Sequence, residues 1–110
     1  VAKAQGLLGV AHLEGKGVAQ DHKEAVKWFR LAAEQGDAKA QSLLAFRYLL
    51  GKGVIQDSVI AHMWFNIAVS NGDEDGAEGR DIAAERMTAA QLAEAQKLAR
   101  ECVARNYKGC

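Results

Sequence analysis

Residues 51–73, GKGVIQDSVIAHMWFNIAVSNGD, restate residues 15–37, GKGVAQDHKEAVKWFRLAAEQGD, at a constant offset of 51 − 15 = 36. Gly51, Gly53, Val54, Gln56, Asp57, Ala61, Trp64, Phe65, Ala68, Gly72 and Asp73 answer Gly15, Gly17, Val18, Gln20, Asp21, Ala25, Trp28, Phe29, Ala32, Gly36 and Asp37. Extended backwards, the offset pairs Ala38-Lys39-Ala40-Gln41 with Ala2-Lys3-Ala4-Gln5 and Leu43-Leu44 with Leu7-Leu8. A fixed period of this length is the mark of a solenoid built from helix pairs.

Working outward, each unit reads as two helices joined at the glycines. In the first, Ala4, Leu7, Leu8 and Ala11 recur at spacings of three and four, with Leu13 as a further candidate, which predicts one buried helix face over residues 2–14. Gly15 and Gly17 then close helix A and reverse the backbone, as Gly51 and Gly53 do in the second unit, because glycine enters left-handed conformations at no steric cost. Val18 is expected to plug the joint. Asp21 is the expected N-cap of helix B, with Glu24 completing a capping box, and Ala25, Trp28, Phe29, Ala32 and Ala33 form its apolar stripe. Gly36 ends it and Asp37 caps the next helix.

The second unit follows the same plan, with helix A over residues 38–50 and helix B over residues 58–71. Two positions differ: Phe46 stands where the first unit has Val10, and Leu50 where it has Glu14. On a helical wheel Ser42, Phe46 and Leu50 lie opposite Ala40, Leu44 and Tyr48, so they form either a second buried face or a binding surface. After Asp73 the pattern changes. Glu74, Asp75, Glu78 and Asp81 crowd a helix start, where acids suit the positive end of the dipole. Thr88 then caps a last helix, with Gln91 at the capping-box position and Leu92, Ala95, Leu98, Ala99, Cys102 and Val103 as its stripe. Residues 1–36, 37–72 and 73–110 thus read as two repeats and an atypical cap in a single all-α domain.

Composition agrees. The 110 residues are 49% hydrophobic but only 6% aromatic, with no proline to interrupt helices. Fourteen basic and fourteen acidic residues balance, and no basic patch suited to nucleic acid is visible. No apolar run approaches the roughly 20 residues that span a bilayer, so membrane insertion is not expected. The chain opens in mid-repeat without the charged start and apolar core of a signal peptide. His12, His22, His62, Cys102 and Cys110 match no zinc spacing, so no metal or other cofactor is expected. His12 is expected instead to fill the joint position that Tyr48 fills in the second unit. Ser42, Ser58 and Ser70 have no base or nucleophile signature beside them.

The pattern Ala-Gln-x-x-Leu, Gly-Lys-Gly-Val-x-x-Asp, Ala-x-x-Trp-Phe-x-x-Ala and Gly-Asp resembles the Sel1-like repeat family, relatives of the tetratricopeptide repeats. It covers Ala2 to Asp73, and residues 80–100 look like the closing segment of bacterial members. The resemblance implies a right-handed α-solenoid of antiparallel helix pairs that mediates protein contacts, often in periplasmic, cell-surface or secreted bacterial proteins. The chain departs from the family at His12 and at Ala45, where Gly9 shows the usual glycine.

Three functions are compatible with this reading. The leading one is a non-catalytic scaffold holding a protein or peptide partner on its helix-A side, in a groove made by Lys39, Ser42, Phe46 and Leu50 with Gly6 and Val10 as first-unit equivalents. The second is a structural terminal piece of a longer solenoid. The third, permitted by the resemblance alone, is a hydrolase of cell-wall or β-lactam ligands. A disulfide between Cys102 and Cys110 is expected, since Asn106 can take a left-handed cap and Tyr107-Lys108-Gly109 can turn the tail back; the alternative is a buried Cys102 thiol and a free Cys110. The disulfide carries the expectation of a periplasmic or secreted protein.

Overall fold

The computed structural model describes residues 1–15 and 20–110; Gly17 and Val18 lie outside the described residues. Among these, six helices and no strand occur: α1 (Ala2–Glu14), α2 (His22–Ala33), α3 (Ala38–Leu50), α4 (Ser58–Ser70), α5 (Asp75–Glu85) and α6 (Ala89–Ala104). They stack into an elongated body of 43 × 25 × 23 Å.

The joints follow the glycine and aspartate chemistry. Gly15 and Gly51 sit at φ 72° and 68°, each sending its N–H to the carbonyl four residues back, of Ala11 and Arg47. The caps Asp21, Asp37 and Asp57 then start α2, α3 and α4 by accepting from the amides of Glu24, Ala40 and Ile60. The two joints share a bond at their far ends, because Asp21 donates its N–H to His12 O at 2.9 Å and Asp57 to Tyr48 O at 3.0 Å. His12 and Tyr48 therefore hold the same place through their backbones. Among the described residues the reciprocal capping box forms only at Thr88 and Gln91. Glu24 instead turns its carboxylate toward Lys27, 3.8 Å away, and Asp21 caps alone.

α4 is the centre of the core. Ala61, His62, Met63, Trp64, Phe65, Ile67 and Ala68 are all buried, so neighbours enclose this helix over most of its circumference, leaving a polar arc at Asn66 and Ser70. α3, α5 and α6 pack around it, while α5 and α6 have little direct contact with each other. The cap is thus two helices laid separately on α4.

The buried face of α1 is not the expected one. Ala4 is exposed and Leu7 and Leu8 are 63% and 43% exposed, while Gly9, with Ala2, Val10 and Leu13 beside it, faces the core. The repeat itself explains the difference. Ala40 and Leu44, the second-unit equivalents of Ala4 and Leu8, are buried, with α2 packed on α3; no described helix occupies the corresponding side of α1. Gly9 is a close-packing position: a Cβ there would stand 2.6 Å from Phe29 Cδ1. Val103, expected on the buried stripe of α6, is exposed, and Cys102 is fully buried.

Cys102 and Cys110 are joined, with Sγ atoms 1.97 Å apart and Cα atoms 5.7 Å apart. Closing so short a loop contributes roughly 2 kcal/mol by removing freedom from the unfolded chain. The tail reverses through Asn106 and Tyr107, at φ 54° and 65°, and Gly109 at φ 71°. Left-handed backbone at a tyrosine costs about 1–2 kcal/mol and persists only where the surroundings hold it.

Candidate functional site: a cleft between the first and third helices

α1 and α3 both pack on α2 and scarcely touch each other. The space between them is a cleft of about 450 Å³. Lys3, Gly6, Leu7 and Val10 line it from α1, and Asp37, Lys39, Ala40 and Leu43 from the cap and first turns of α3. The spacing is helical on both walls, at 3, 6, 7, 10 and at 39, 40, 43, so each helix contributes one continuous stripe. Small residues make the hollow. Gly6 has no heavy atom within 4 Å of the place a Cβ would occupy.

Chemically the walls are carbon and the rim is charged, with Lys3, Lys39 and Asp37 among its lining. Leu7, Val10, Leu43 and Ala40 supply the apolar surface, with the exposed Lys3 and Lys39 at its edge. The Asp37 carboxylate is engaged in capping α3 through the Ala40 amide at 2.9 Å. Lys39 Nζ lies 3.6 Å from Asp75 Oδ2, an exposed pair that water screens and that is worth little.

The groove expected from the sequence divides in two. Lys39, Gly6 and Val10 line the cleft. Ser42, Phe46 and Leu50 do not, and the repeat again gives the reason. Gly76 of α5 stands 36 positions after Ala40 and closes on α3 where α3 leaves α1 open. Ser42 is 2% exposed beneath α5, its Oγ 2.9 Å from where a Gly76 Cβ would sit. Phe46 is half-buried, edge-on to Phe65 with ring centroids 4.8 Å apart. Leu50 is 50% exposed but lies outside the cleft. As part of an open groove, Ser42 is therefore corrected to a core position covered by α5. Lys3, Leu7, Asp37, Ala40 and Leu43 were the lining residues that sequence reasoning missed. The signal was available: Lys3 and Leu7 bracket Gly6 at helical spacing, and Leu43 lies one turn beyond Lys39 and Ala40.

A second hollow, of about 480 Å³, lies between α4 and α6 and is lined by Asn66, Ile67, Ser70, Gln96, Ala99, Arg100 and Val103. Asn66 Oδ1 there accepts from Arg80 at 3.1 Å. Among the described residues no three His, Cys, Asp or Glu side chains lie close enough together to hold a metal ion. No described helix is long and apolar enough to cross a membrane.

His62, on α4, is buried. Burial first, and the Arg80 guanidinium second, hold its pKa below the ordinary 6.5, with Asp81 pulling weakly upward. As pH falls through about 6.5 the unfolded chain takes up a proton at this residue that the folded chain refuses, so acid destabilises the fold. The melting temperature is expected to decline from pH 7 toward pH 5.5, and His62→Gln is expected to shrink that decline. Equal slopes for the two proteins would show that His62 is not responsible.

The Sel1 repeat family matches the chain twice, over residues 2–37 and 38–73. Among solved structures, c5321, a protective antigen of uropathogenic Escherichia coli strains that displays an SLR fold, superimposes with a TM-score of 0.90 at 38% identity. That likeness covers 97% of this chain and 24% of the antigen. A Sel1 repeat protein from Oxalobacter formigenes gives a TM-score of 0.72 at 32% identity, over 74% of this chain and 61% of that one. The chain thus spans about a quarter of the first and three-fifths of the second. No curated protein matches it.

Proposed function

Because the chain belongs to the Sel1 repeat family, whose members are generally scaffolds for protein contacts, we propose that it is a non-catalytic interaction module that takes a peptide in the cleft between α1 and α3. The observation that carries this reading is the pairing of an apolar hollow with two lysines at its rim. Its volume lies within the roughly 300–1,000 Å³ of ligand sites. The occupant we infer is a short segment with aliphatic anchors flanked by carboxylates. The anchors would fill the space over Gly6 and Ala40, and the carboxylates would meet Lys3 and Lys39. Affinity would come from the buried anchors and register from the charges. The Cys102–Cys110 bond supports placing the protein outside the reducing cytosol, in the periplasm or secreted.

One observation favours the reading of a structural solenoid segment: Leu8 is exposed while its equivalent Leu44 is buried, so α1 offers a face that the repeat elsewhere covers. The two readings part at Leu7, which lines the cleft. Twelve-residue displayed peptides selected on the protein should carry aliphatic residues beside Glu or Asp. Leu7→Asp should weaken them by about tenfold or more, the loss of roughly one buried aliphatic contact. Leu50→Asp, on exposed surface outside the cleft, should leave them unchanged. Selected peptides that bind Leu7→Asp as well as the native protein, or no selectable peptide at all, would leave the structural reading standing.

A further inference from the structure

The disulfide-closed tail reaches back to the turn after α2 and the turn after α4, behind the wall of the cleft. Lys108 Nζ donates to Glu34 O at 3.0 Å, and the Tyr107 ring covers Gly36, 3.4 Å from where a Cβ would stand. Tyr107 Oη meets Asn71 Nδ2 at 3.2 Å; Asn71 Nδ2 donates to Gln41 Oε1 at 3.0 Å; Gln41 Nε2 donates to Ala33 O at 3.1 Å. Gln41 is fully buried, so this line of bonds runs through the body and fastens the α2–α3 turn from behind. That turn leads directly into Asp37, Lys39, Ala40 and Leu43, which form one wall of the cleft.

From this arrangement we infer that the tail is a thiol-sensitive clasp on the peptide cleft: oxidised, it fixes the α2–α3 turn and keeps the wall in place; reduced, it lets the wall move and lowers affinity. The part concerning affinity rests on the cleft being the binding site. The clasp is poised to release because Asn106 and Tyr107 hold left-handed backbone at φ 54° and 65°. Such conformations last only while the surroundings enforce them, and the disulfide is the one covalent part of those surroundings. Local hydrogen bonds supply the rest: Tyr107 N–H to Cys102 O at 2.9 Å, Asn106 N–H to Val103 O at 3.0 Å and Lys108 N–H to Arg105 O at 3.2 Å.

The chemistry is two-electron exchange with a dithiol. A thiolate of the reductant attacks Cys110 Sγ, the half-buried sulfur, since Cys102 is fully enclosed. The Cys102 thiolate leaves and takes a proton from water. The reductant's second thiol then displaces Cys110 as its thiol, and the reductant ends as the cyclic disulfide.

Amide exchange on the whole chain, with and without dithiothreitol, tests the clasp without any ligand. Reduction is expected to speed exchange at Gly36, Asp37 and Gln41 by about tenfold while α4 stays protected. Tyr107→Ala, with the disulfide intact, is expected to do the same at the turn, and it decides the matter alone if reduction unfolds the protein. Unchanged rates at the turn in both experiments would overturn the clasp. Octane-1-sulfonate, an apolar chain with one anionic head, reports the cleft through amide shifts at Gly6 and Leu43. Weaker binding after reduction supports control of the site; equal binding in both states overturns it. If octane-1-sulfonate binds in neither state, the peptide reading of the cleft fails and the exchange rates still judge the clasp.

Discussion

Gly53→Val is expected to lower the melting temperature by on the order of 10–20 °C, the shift that about 3 kcal/mol produces in a domain of this size. Two costs combine. Gly53 sits at φ 87°, where a β-branched side chain is strained by about 1–2 kcal/mol. A Cβ there would also stand 2.7 Å from the carbonyl carbon of His22 and 2.9 Å from Val26 Cγ2, with the His22 oxygen closer still. The obstacle is backbone at the first turn of α2, so yielding to it disturbs the Asp21 cap, itself worth about 1 kcal/mol. The glycine turn of the second unit is therefore the piece that seats that unit on the first. Gly72→Val is the control: it shares the left-handed backbone at φ 102° but meets nothing within 4 Å, so it should cost the conformational part alone. Thermal denaturation of the two variants decides, and a Gly53→Val protein no less stable than Gly72→Val would refute the contact argument.

Trp64→Ala should destabilise the domain by about 3–5 kcal/mol, the range for removing a large buried aromatic side chain, and should leave a marginal fold. Trp28→Ala should cost less than half as much. The two tryptophans are repeat equivalents, 36 positions apart, and sequence gives no ground for treating them differently. The structure does. Trp64 is fully buried on α4, around which α3, α5 and α6 close, whereas Trp28 on α2 is only half-buried. Urea unfolding of both variants measures the difference, and equal losses would mean that the cap does not enclose α4.

That contrast shows what could be read in advance and what could not. The 36-residue period, the glycine joints and the aspartate caps are local features, written in residues that act on their own neighbours, and among the described residues Gly15, Gly51, Gly53, Asp21, Asp37 and Asp57 take the roles the pattern predicts. The faces of α1 and α3 are not local. Whether Leu8 or Leu44 is covered depends on a helix from another unit, so identical Leu-Leu pairs have different fates. Ser42 illustrates the same point. Its wheel position fits either a groove or a second buried face, and only the approach of Gly76 decides between them. Phe46 was visible as a departure from Val10, but its partner Phe65 lies on the next helix, turned edge-on. Gly6, Val10 and Lys39 line a hollow because they belong to the junction between α1 and α3, which no other described helix fills.

The enclosure of α4 also bears on how the chain is made. Synthesis is vectorial, and residues 58–70 emerge before any residue of the two helices that cover their far side. At roughly 5–20 residues per second residues 71–110 follow over several seconds. For that interval α1, α2 and α3 are the described helices available to shelter Met63, Trp64 and Ile67, and much of the apolar surface of α4 stands uncovered. The nascent segment thus passes through an adhesive stage that lasts until α5 and α6 are made, which gives these two helices the task of covering α4.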